Sequence, residues 1–147
     1  MRLVLTKRFL LAPMLALMST TALAANGVTA EGAWIRQAPP GMKMLAGYLI
    51  IHNNGATPRA VVAAGSPAFG HIELHRSVIR NGVAEMIPQQ RITITPHGTL
   101  RFAPGGYHLM LMQPKRTFSL GETIPLTLRF ANGQTITVKA VVKRGMM

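Results

Sequence analysis

Turn signals punctuate the whole chain after its first two dozen residues. They are Pro39-Pro40-Gly41, Asn53-Asn54-Gly55, Gly65-Ser66-Pro67, Asn81-Gly82, Pro96-His97-Gly98, Pro104-Gly105-Gly106 and Asn132-Gly133. No segment between them sustains a helical period. The intervening runs are short and β-type: Ala33–Arg36, Leu45–His52, Arg59–Ala64, His71–His75, Val83–Ile87, Arg91–Thr95, Thr99–Phe102, Tyr107–Met112, Thr123–Phe130 and Thr135–Val142. The spacing predicts an all-β sandwich or barrel of about nine short strands. Asn81-Gly82 is the strongest hairpin signal, because a two-residue turn of that type needs positive φ at both positions.

The first residues read as an export signal. Arg2, Lys7 and Arg8 precede the apolar stretch Phe9–Met18, and Thr20-Thr21-Ala22-Leu23-Ala24 supplies small residues for cleavage. The apolar run is shorter than the ~20 residues that cross a bilayer. The reading is a signal peptide at 1–24, cleaved after Ala24, and one domain at 25–147 with its core at 28–142. With no cysteine after the apolar region, a soluble product without a lipid anchor is expected. The domain can use neither disulfides nor thiolate ligands, so hydrophobic burial must stabilise it.

The formal charge of +12 falls to +9 once residues 1–24 are removed, and the only acids are Glu31, Glu73, Glu85 and Glu122. Such a surface suits acidic partners or anionic membrane faces. Nucleic acid is not expected, since the basic residues are scattered and few aromatics lie between them to stack bases. No phosphate-binding loop is visible, because Gly105-Gly106 precedes a strand instead of a helix. Without any Asp, and with Ser sparse, no catalytic triad can be assembled. The chain reads as a binding protein, not an enzyme.

Methionine is the unusual count. Seven of the ten lie beyond Ala24: Met42, Met44, Met86, Met110, Met112, Met146 and Met147. His75 precedes Met86 with ten residues between them, and the Asn81-Gly82 turn lies in that interval. His108 and Met110 stand at i and i+2, a spacing that puts both on one face of a strand, with Tyr107, Leu109 and Leu111 facing the core. Two imidazoles and two thioethers can therefore converge from separate parts of the chain. Thioethers are soft and neutral, so they favour Cu(I) over zinc, magnesium or calcium. A site without thiolates also suits an oxidising compartment, where a dithiolate would close to a disulfide.

His75, ten residues, Met86, 21 residues, then His108-Leu109-Met110 resembles the His-x10-Met-x21-His-x-Met motif of the periplasmic PCu(A)C copper chaperones. The likeness extends through Ala33-Trp34, Tyr48-Leu49, Pro104 to Met112 and Ile124 to Leu128, and covers roughly Val28 to Val142. The resemblance implies a cupredoxin-like Greek-key β-sandwich and one Cu(I) per chain on His75, Met86, His108 and Met110. It also implies a monomer that delivers copper in the periplasm. The acceptor would be a cytochrome c oxidase subunit at its binuclear copper centre, or another copper assembly factor, with peripheral contact to membrane proteins. Copper sequestration without specific delivery is the alternative, and a structural adhesion or assembly module is a third reading.

Two positions depart from the family pattern. Arg76 and Ser77 follow the first His where many members place a Met, which leaves Met42 or Met44 as auxiliary soft groups or leaves none. The tail Lys143-Arg144-Gly145-Met146-Met147 lacks the His- and Met-rich extension associated with Cu(II). His71 shares the face of His75 but lies four residues, about 13 Å, away along the strand, too far to join the same ligand set. Glu73 and Glu85 read as ordinary strand residues, His52 and His97 as turn residues. Trp34 reads as a core anchor, with a cap over the copper site as its alternative.

Overall fold

The computed structural model describes residues 27–145; the segment read as a signal peptide and the last two methionines lie outside the described residues. All regular structure among the described residues is β. Ten strands form: β1 Val28–Arg36, β2 Met44–Asn53, β3 Arg59–Gly65, β4 Phe69–Arg80, β5 Val83–Pro88, β6 Ile92–Ile94, β7 Thr99–Phe102, β8 Tyr107–Pro114, β9 Thr123–Phe130 and β10 Thr135–Lys143. The strands follow one continuous order, β5-β4-β8-β7-β2-β1-β10-β9-β3-β6, with β8 also bonded to β2. A further β3–β4 pairing, Ala64 opposite Ile72, closes the sheet into a barrel-like sandwich.

Alternation builds the core. In β9, Ile124, Leu126, Leu128 and Phe130 are all buried, while Thr123, Pro125 and Arg129 face solvent. They meet Ile35 of β1, Leu49 and Ile51 of β2, Val61 of β3, Ile72 and Leu74 of β4, and Leu109 and Leu111 of β8. Each such side chain contributes about 1.5–3 kcal/mol by leaving water. The same burial fixes register, since a one-residue slip of β8 would turn Leu109 and Leu111 outward. His108, Met110 and Met112 are thereby held on the opposite face.

Strand β4 exceeds its expected length. Phe69 to Arg76 pair with β8, but the strand runs on to Arg80 and pairs there only with β5. The Asn81-Gly82 turn has φ of 51° and 74°, as a two-residue hairpin turn demands. The β4–β5 hairpin therefore overhangs the barrel, which explains the exposure of Ile79 and Val83 at 78% and 61%.

Two expectations need correction. Trp34 is not a core anchor: Ala33 and Ile35 take the inward positions, and Trp34 stacks outside on Tyr48 with ring centroids 4.6 Å apart. His52 is not in a turn but lies within β2, opposite Thr29 and Thr99, where its ring nitrogens reach Thr99 Oγ1 at 3.1 Å and Glu31 Oε1 at 2.9 Å. His97 does occupy a turn, with φ of 55°.

Candidate metal centre

His75 and His108 are direct cross-strand neighbours in the β4–β8 pair. Their ring centroids lie 5.7 Å apart, and the residues are only 7% and 3% exposed. Met110 follows one row along β8, opposite Glu73 on β4 and Ala46 on β2. Met86 lies in the row on the other side, opposite Ser77, and Pro88 of the same strand stands opposite His75. Paired residues share a face, as do residues two apart, so His75, His108, Met110 and Met86 all project from the same outward surface. Burial separates the two methionines. Met110 is 9% exposed, whereas Met86, on the overhanging hairpin, is 58% exposed.

Each histidine has one nitrogen committed and one open. The Nε2–H of His75 donates to Glu73 Oε2 at 2.8 Å, and the Nδ1–H of His108 donates to the carbonyl of Gly106 at 3.2 Å. With those protons placed, His75 Nδ1 and His108 Nε2 each present a lone pair. Both atoms are buried without a hydrogen-bond partner. A buried polar atom left unsatisfied costs roughly 1–3 kcal/mol, so two of them on facing rings make an arrangement built for a ligand. The neutral form that metal binding requires is favoured at His108. Burial, with the nearby His75, holds the His108 pKa below its ordinary value against the opposing Gly106 hydrogen bond.

The Pro104-Gly105-Gly106 sequence makes the His108 orientation. Gly106 N–H donates to Ala103 at 3.0 Å, and Gly105 adopts φ of 82°, a type II turn with Pro and Gly where that geometry wants them. The Gly106 carbonyl then accepts from both Ser77 N–H on β4 and His108 Nδ1–H. One turn thus fastens β8 to β4 and sets the imidazole.

Glu73 was read as an ordinary strand residue and is not. Its carboxylate bridges the 2.8 Å contact to His75 Nε2 and a looser 3.6 Å approach of His71 Nε2. Those contacts, the His75 hydrogen bond foremost, hold the Glu73 carboxyl below its usual pKa. The signal lay in the i, i+2 spacing of Glu73 and His75. Glu85 faces the other way, opposite Val78, and pairs with Arg80 at 3.6 Å. Among the described residues no three His, Cys, Asp or Glu side chains are grouped to hold a metal.

Comparison with known proteins follows the same lines. The family described as "Putative lipoprotein LpqE-like" matches residues 28–142. A relative from Leifsonia xyli subsp. xyli, "Putative lipoprotein Lxx21020", is 38% identical over 120 residues, which cover 81% of this chain and 71% of that protein. The solution structure of Cu(I)-DR1885 from Deinococcus radiodurans is 30% identical with a TM-score of 0.61, covering 88% of this chain and 85% of that one. The apo PCuAC domain from PmoF1 is 25% identical with a TM-score of 0.69, covering 82% of this chain and 97% of that domain. By sequence across its whole folded region, and by a fold shared with PCuAC domains, the chain belongs to the LpqE-like family.

Proposed function

We propose that this protein is an exported, non-enzymatic copper chaperone. It holds one Cu(I) through His75, Met86, His108 and Met110 and passes it to a copper-accepting protein. The observation that carries the reading is the pair of buried imidazole nitrogens without partners, His75 Nδ1 and His108 Nε2, on neighbouring rings 5.7 Å apart and flanked by thioethers in the rows on either side. Two imidazoles and two thioethers form a neutral, soft set that stabilises the reduced ion. Glu73 and the Gly106 carbonyl orient the rings from behind, the arrangement by which outer partners tune metal ligands. The Cu(I)-loaded state named for the Deinococcus relative supports the choice of cargo.

Release is favoured by the same design. The set contains no thiolate, and Met86 is open to solvent, where a partner's donor atom can take its place. The acceptor in this reading is a cytochrome c oxidase subunit or another copper assembly factor, met in the periplasm after cleavage near Ala24. The relative's description as a lipoprotein supports export, although this sequence offers no cysteine for a thioether-linked lipid.

The test is transfer kinetics. Copper-loaded protein from the exported fraction is mixed with an apo acceptor domain, and Cu(I) movement is followed against delivery from a small-molecule Cu(I) complex. Faster delivery by the protein is expected. Equal or slower delivery would reduce the role to sequestration, and a preparation that binds zinc more tightly than Cu(I) would end the copper reading.

A further inference from the structure

Four residues beyond His108 on β8 the outward face carries a second row of soft donors. Met112 stands directly opposite His71 on β4 and directly opposite Met44 on β2, so the three side chains form one ladder across adjacent strands. Directly opposed residues have Cβ atoms ~4.5–5.5 Å apart. The outer two strands are about 10 Å apart, a gap that flexible Met and His side chains can close over the central thioether. None of the three side chains is spent on the core. Met44 is 51% exposed, the His71 side chain is 50% exposed, and Met112 is partly exposed while Leu111 beside it is buried. His71 Nε2 lies 3.6 Å from Glu73 Oε1, beyond a firm hydrogen bond.

We propose that His71, Met112 and Met44 form a second site for a soft monovalent ion, of weaker affinity than the His75–His108 centre. One imidazole and two thioethers suit Cu(I) and offer a harder cation little. The exposure of the donors and the smaller set make the affinity lower and the exchange faster. The His75–His108 row and the His71–Met112 row are about 13 Å apart along β8, with Met110 of the principal site in the row between them and Glu73 bridging towards both on β4. The face therefore offers a graded track, with an accessible site at one end and the buried imidazoles at the other. This site involves none of the four residues assigned to the principal one, so each can stand or fall alone.

Silver(I) is the probe, since it is soft, monovalent and indifferent to redox conditions. The copper-free exported chain, carrying 13C-labelled methionine methyl groups, is titrated with Ag(I) by NMR and calorimetry. Two binding steps are expected, the first shifting the Met86 and Met110 methyls and the second those of Met44 and Met112. The M44L/M112L variant should keep the first step and lose the second, while His71→Asn should weaken the second at least tenfold. Saturation after the first step with Met44 and Met112 unmoved would overturn the proposal, as would two intact steps in M44L/M112L. Shifts confined to Met44 and Met112 would support this site while removing the principal one.

Discussion

The imidazoles of His75 and His108 meet across the β4–β8 pair at 5.7 Å between centroids and 48° between planes, neither stacked nor edge-on. Each is tethered at one nitrogen, to Glu73 or to Gly106, and each holds its other nitrogen away from water. Removing either ring should therefore cost copper binding far more than it costs the fold. His108→Asn is expected to lower Cu(I) affinity by at least a hundredfold, read by competition with a calibrated chelator. X-ray absorption of the wild-type complex should show mixed nitrogen and sulfur neighbours. A first shell without sulfur would contradict the assignment.

The methionines should separate ligation from packing. Met110→Leu keeps volume and apolarity, so its stability cost should stay below about 1.5 kcal/mol even though the site is buried. Met86→Leu, on the exposed hairpin, should leave the unfolding free energy within about 0.5 kcal/mol of wild type. Both should nevertheless lose at least tenfold in Cu(I) affinity, because Leu offers no lone pair. Met112→Leu should leave the tight site unchanged. A loss of tight binding there, with Met110→Leu unaffected, would require a different ligand set.

Glu73 makes a different kind of prediction. It touches no cargo but fixes which His75 nitrogen is protonated. Glu73→Ala should weaken Cu(I) by about 10–100-fold, the usual cost of losing a carboxylate behind a metal-binding histidine. Sulfur scattering should be unchanged. An affinity equal to wild type would mean that the Gly106 and sheet contacts alone set the geometry.

Acid should destabilise the apo protein in a window traceable to His108. Its folded pKa is depressed, mainly by burial, so the unfolded chain binds the proton more readily. The stabilisation from keeping this ring neutral is present above about pH 6.5, the unfolded value, and is lost as pH falls towards the folded one. Denaturant midpoints should decline over that range, and His108→Asn should flatten the decline. The Glu73 carboxyl, also depressed, acts in a lower window, adding stability above its ordinary pKa that disappears as it protonates. A midpoint independent of pH between 7 and 5 in the wild type would refute the His108 contribution.

Local patterns were legible in the sequence because they obey short-range rules. Ile72 and Leu74 against His71, Glu73 and His75 announce a two-sided strand, Asn81-Gly82 announces the hairpin, and His108 with Met110 share a face by spacing alone. Non-local facts were not legible. That His75 stands opposite His108, and His71 opposite both Met112 and, one strand further, Met44, depends on which strands become neighbours. Trp34 was misplaced because an aromatic residue in an alternating strand looks inward by composition, while the smaller Ala33 and Ile35 take the core. Each β-type run of the sequence becomes one strand, and the run Arg91–Thr95 narrows to the three residues Ile92–Ile94 of β6.

The overhang of the β4–β5 hairpin bears on timing. Strand β5 is the end of the sheet order and leans on one neighbour only, so its outward amides have no lasting shelter. Hydrogen exchange there should approach that of an open chain, while β8, gripped on both sides, stays protected. The four residues assigned to copper are thus anchored to parts of the molecule with different lifetimes. Three sit on strands paired on both sides, which should open only with the barrel, and Met86 rides on an edge strand that should open separately. A bound ion would slow that strand and be slowed by it, which makes the exchange rate of β5 a clock for how long the cargo stays aboard.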